Sequence, residues 1–113
     1  MGKYEALTKY LPMLDTINSS EVRKFTSEVY SFIDTHSEYD LNNYIEILKE
    51  NNIEWEMTSM QSVDVSSLDD KAVLALLVGA VRAERFCDGA MCSFIKNGQI
   101  NKWLTKLKEI DKT

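Results

Sequence analysis

At 113 residues, with 44% hydrophobic and 27% charged side chains, the chain has the make-up of one globular domain, too short for a second core and too apolar for disorder. A formal net charge of -5 makes phosphate backbones and anionic lipid surfaces poor default partners. The longest apolar run, Ala72 to Val81, is about half of what a bilayer demands, and the first residues have neither the basic nor the apolar region of a signal peptide, so a cytoplasmic domain with free thiols at Cys87 and Cys92 is expected.

The dominant pattern along the chain is helical. Tyr4, Leu7, Leu11 and Leu14 recur at the spacing of one helix face, and Pro12 predicts an end or kink near Tyr10. Asn18 or Ser19 can cap a second helix, with Glu21 in its first turn and Val22, Phe25, Val29, Phe32, Ile33 and His36 as its stripe. Asp40 is the expected cap of a third helix, with Leu41, Tyr44, Ile45 and Leu48 inward and a left-handed stop at Asn51-Asn52.

From Ile53 to Val65 the period changes. Ile53, Trp55 and Met57 alternate with Glu54, Glu56 and Thr58, which predicts an irregular extended segment laid across the helices. Ser67 and Asp70 resemble a capping box opening the longest helix, about residues 67–87. Its run Ala72 to Val81 is apolar on every side, so it should be the enclosed axis of the fold. Gly79 within it costs about 1 kcal/mol of helix stability relative to Ala, which predicts a closely approaching neighbour helix as compensation. Gly89 breaks this helix. A short helix with Met91, Phe94 and Ile95 follows, then a turn at Asn97-Gly98, then a final helix with Ile100, Trp103, Leu104, Leu107 and Ile110 inward. The whole predicts an all-α fold, a compact bundle of five or six helices around a buried central one.

Charge enters abruptly after the apolar run, at Arg82, Glu84, Arg85 and Asp88. Helical geometry puts Arg82 and Arg85 on one side, Glu84 and Asp88 on the other, and Arg85 within reach of Asp88. Unpartnered buried charges cost several kcal/mol each, so these groups either pair internally as a structural network or line a pocket in which the two guanidiniums grip a phosphate or carboxylate. Glu84 with Asp88 and Glu46 with Glu50 are acids one turn apart, a weak signal for a metal. His36 is the one histidine and reads as a core-edge residue; Cys87 reads as a small buried hydrophobe, and no metal or cofactor is expected. Trp55, Met57 and Met60 are explained by packing over the core, and would also suit a partner-binding surface. The last two helices could pass for a helix-turn-helix, but the acidic chain and the core character of Trp103 and Leu107 speak against DNA.

The string Leu76-Leu77-Val78-Gly79-Ala80-Val81-Arg82-Ala83-Glu84-Arg85-Phe86-Cys87-Asp88-Gly89, with Gly98-Gln99-Ile100 and Leu104-Thr105-Lys106-Leu107 beyond it, resembles the hallmark of a bacterial family known as the domain of unknown function 6508. The resemblance implies a helical fold and brings no activity. No complete catalytic constellation is present in the sequence, which leads to a non-catalytic binding or regulatory module acting through a protein partner or self-association. The alternative is a small-anion or nucleotide-binding protein, enzymatic or not, built on the charged end of the central helix.

Overall fold

A computed structural model describes residues 4–16, 18–84 and 89–111. Among them are seven α-helices and no strand: α1 (Glu5–Thr8), α2 (Ser19–Thr35), α3 (Tyr44–Glu50), α4 (Met57–Ser62), α5 (Asp70–Ala83), α6 (Ala90–Lys96) and α7 (Gln99–Asp111). No helix among them is long and apolar enough to cross a membrane.

Local chemistry sets most of the boundaries. α1 stops at Thr8, and the chain passes Pro12 in a 3₁₀ turn over Leu11–Thr16, a conformation that tolerates the missing N–H. Asn18 opens α2 with a full capping box: its Oδ1 accepts from Glu21 N at 2.9 Å, while Glu21 Oε1 accepts from Asn18 N at 3.4 Å. At the far end of α3, Asn52 takes the left-handed conformation at φ 62°, and Ile53 N returns to Leu48 O. Gly89 and Gly98 hold φ of +90° and +80° at the starts of α6 and α7, where a side chain would be strained.

The third helix differs from its pattern. Asp40 is itself left-handed and makes no side-chain cap; a 3₁₀ turn over Leu41–Asn43 precedes α3. That turn rotates the face, so Ile47 is buried in place of Ile45, which is 41% exposed. Residues 53–65 are not extended throughout either. Ile53 is buried and Glu54 and Glu56 are exposed, as alternation requires, but Glu56 then caps Thr58 N at 3.1 Å and starts α4. The central helix begins later than expected. Asp64 draws Val65–Ser67 into a 3₁₀ turn, so Asp69, not Ser67, becomes the cap, accepting from Ala72 N at 2.9 Å. Its regular part ends at Ala83.

Helix α5 is the axis. Every residue from Ala72 to Val81 is buried, and it packs most extensively against α3, then against α7, α6 and α2. At Gly79 the nearest atoms are those of side chains. A Cβ there would lie 2.9 Å from Met60 Cε and 3.2 Å from Trp55 Cδ1, so two side chains occupy the space that the glycine leaves. Trp55 also donates its Nε1–H to Gly79 O at 3.0 Å.

Candidate functional site

The last turn of α5 carries the charged residues out of the core. Arg82 is half-buried, with its guanidinium over the Tyr30 ring of α2 at 5.5 Å, a cation–π arrangement. Its Nε is enclosed and has no hydrogen-bond partner, and no carboxylate pairs with it among the described residues. Tyr44 of α3 lies near enough for the Arg82 charge to act on it. Burial pushes the Tyr44 phenol up from its ordinary range; the Arg82 charge opposes that shift and Tyr30 adds to it.

Glu84 does something different. Its two carboxylate oxygens accept from Gly89 N at 2.9 Å and Met91 N at 3.0 Å. Glu84 therefore satisfies backbone donors at Gly89 and in the first turn of α6. Arg85 and Asp88 lie outside the described residues, and so does Cys87. The two described members of the charged cluster are thus not an ion pair: one stacks on an aromatic ring and the other caps a helix.

Beside them runs a groove of about 560 Å³ between α2 and the start of α6. Val22, Thr26 and Tyr30 form its α2 wall, Arg23 and Ser27 its rim, and Glu84, Gly89 and Cys92 the opposite side. Cys92 is exposed as a free thiol. A second depression of about 410 Å³ shares Arg23 and Ser27 with the first and extends over Ser20, Lys24, Glu28 and Tyr10. Apart from Val22, this face of α2 stands outside the stripe that the sequence pattern marks. Its signal was available in the spacing of Arg23, Ser27 and Tyr30, which lie at i, i+4 and i+7 opposite the apolar stripe.

Of the residues expected to form a partner surface, Met60 is 1% exposed against Gly79, Trp55 is half-buried and tethered to a helix carbonyl, and the Met57 side chain is outside the described part. His36 is half-buried with its ring stacked on Phe32 at 3.9 Å. Glu46 and Glu50 are exposed on α3, and no cluster of three metal-ligating side chains occurs among the described residues.

A separate polar cluster lies at the other end of α5. The Tyr4 hydroxyl donates to the Asp70 carboxylate and contacts the Tyr39 hydroxyl at 2.8 Å. Burial first, then these hydrogen bonds, push the Tyr4 phenol far up from its ordinary range.

A family model described as a family of unknown function (DUF6508) matches residues 5–113. No curated protein and no solved structure matches the chain.

Proposed function

The chain belongs to the family of unknown function DUF6508, and within it we propose a cytoplasmic, single-domain, non-catalytic binding module that engages a protein partner through the groove between α2 and α6. One observation carries this reading. The carboxylate that lines the groove, Glu84, has each oxygen accepting from a backbone amide, which suits a fixed structural acceptor better than a group that moves protons. What remains is an apolar wall with hydroxyl and guanidinium groups at its edge, the usual dress of a recognition site. The test is an amide NMR screen with a library of small organic fragments, run beside a turnover screen on phosphoesters and nucleotides. Fragments should shift the amides of Thr26, Tyr30 and Cys92, with no turnover. Shifts confined to other surfaces, or turnover of any substrate, would contradict the reading.

Arg82 favours a second reading, a small-anion site at the end of α5, because its enclosed Nε has no partner. A guanidinium in that state recovers a strong hydrogen bond when a carboxylate or phosphate arrives. Inorganic phosphate or a nucleoside monophosphate that raises the Tm of the wild-type chain, but not that of Arg82→Met, would favour this site over the groove.

A further inference from the structure

Asn97 is exposed at the carboxyl end of α6, and of the seven asparagines in the chain it alone precedes a glycine. A side-chain amide so placed has the next backbone nitrogen as an internal nucleophile. Gly98 offers that nitrogen without obstruction, since no atom lies within 4 Å of where a Cβ would stand. After every other asparagine a side chain crowds the approach. The folded turn nevertheless withholds the reaction in two ways. Asn97 holds ψ at 0°, which sets the Gly98 nitrogen against the residue's own nitrogen, whereas ring closure needs it against Cβ. The Gly98 N–H also donates to Ile95 O at 3.0 Å. Both restraints belong to the end of a seven-residue helix, the kind of element that opens locally at small cost.

We propose that Asn97 is a site of spontaneous covalent modification, converting to aspartate and isoaspartate through a succinimide, with the α6–α7 turn as the gate. When the turn opens, Gly98 N bonds to Asn97 Cγ, the bond from Cγ to Nδ2 breaks, and ammonia leaves with the Gly98 proton. Water then opens the ring at Cγ to give aspartate, or at the main-chain carbonyl to give isoaspartate. Water is the sole co-reactant. The product differs from the amide in charge and in backbone length. A carboxylate stands where the helix dipole disfavours it, and it cannot donate as Asn97 Nδ2 does to Ser93 Oγ at 3.4 Å. Isoaspartate also adds a methylene to the backbone, which separates Gly98 N from Ile95 O and displaces the start of α7, where Lys102 N donates to Gly98 O at 3.1 Å. The connection between the last two helices thus changes state with age.

The experiment incubates the intact chain in mildly alkaline buffer beside a free peptide of residues 93–102, and follows both by peptide mapping with mass spectrometry and isoaspartate detection. Product should form at Asn97 before any other asparagine, about tenfold more slowly than in the peptide, the protection that one hydrogen bond of this kind gives. Denaturant below the unfolding transition should speed the conversion in step with hydrogen exchange at the Gly98 amide. The Asn97→Gln variant keeps the exposed amide but needs a larger ring; it should melt like the wild type and stay unconverted at that position. The purified isoaspartate form should exchange its Gly98 amide faster than the unmodified chain. Conversion elsewhere first, or none at Asn97 in the intact chain after the peptide has reacted, would overturn the site. Equal rates in chain and peptide, or a rate that stays flat until the whole chain unfolds, would overturn the gate. Unchanged exchange at Gly98 in the isoaspartate form would overturn the change of state.

Discussion

Tyr4 ties three distant parts of the chain together through one side chain and one amide. Its ring is 1% exposed and packs on Phe32, its hydroxyl meets Asp70 and Tyr39, and its backbone N donates to Asp111 Oδ2 at 3.0 Å. Because burial and the two hydrogen bonds raise its phenol above the ordinary value of 10.0, the folded state holds the Tyr4 proton more tightly than the unfolded state does. The associated stability is fully present below about pH 10 and is lost as pH rises beyond it, since the unfolded chain ionises first. Tyr4→Phe should cost about 1.5–3 kcal/mol at neutral pH, the range for a hydrogen bond to a charged group. It should also flatten the decline of Tm between about pH 9 and pH 11. Thermal melts of both chains across that range check it; parallel alkaline limbs would refute the role given to the phenol. None of this was legible in the sequence. Tyr4, Tyr39 and Asp70 are far apart along the chain, and periodicity assigns Tyr4 to a core stripe without saying what its hydroxyl meets.

At the scale of elements, the readable signals were those whose cause is local. The cap at Asn18, the left-handed Asn52 and the turn at Gly98 all depend on a few adjacent residues, and all stand within the bounds that the pattern gave. The departures arise where two local signals compete. Asp64 and Asp69 outbid Ser67 for the caps, and the 3₁₀ turn at Leu41–Asn43 exchanges Ile45 for Ile47. Gly79 was flagged as a place of close approach, but which atoms approach depends on tertiary structure: the methyl of Met60 and the indole of Trp55. Gly79→Ala therefore sets a helix-propensity gain of about 1 kcal/mol against the cost of added volume, typically 1–3 kcal/mol. Met60 can swing its methyl away, whereas Trp55 is anchored by its bond to Gly79 O and edge-on to Tyr44. The net expectation is a loss of about 1 kcal/mol by chemical denaturation, with a shift in tryptophan emission. A stabilised variant would show that the indole moves freely.

The whole molecule is organised by α5. Its two ends differ in chemistry: a Tyr–Tyr–Asp cluster lies at its start, and Arg82 and Glu84 lie at its exit, beside the α2 groove. An apolar helix can be read from sequence as enclosed, because no other placement hides all its sides. The groove could not be read in the same way. It arises from how α2 and α6 meet around Glu84, and helical spacing, which sets Glu84 on one side with Asp88, says nothing of the backbone amides that Glu84 accepts from. Amide hydrogen exchange on the intact chain tests the enclosure of α5 most directly. Residues 74–81 should exchange slowest of all and only through global unfolding, with protection equal to the stability measured by denaturant. Exchange there as fast as in the short helix α6 would mean that the central helix opens locally, and the architecture that positions both ends would be wrong.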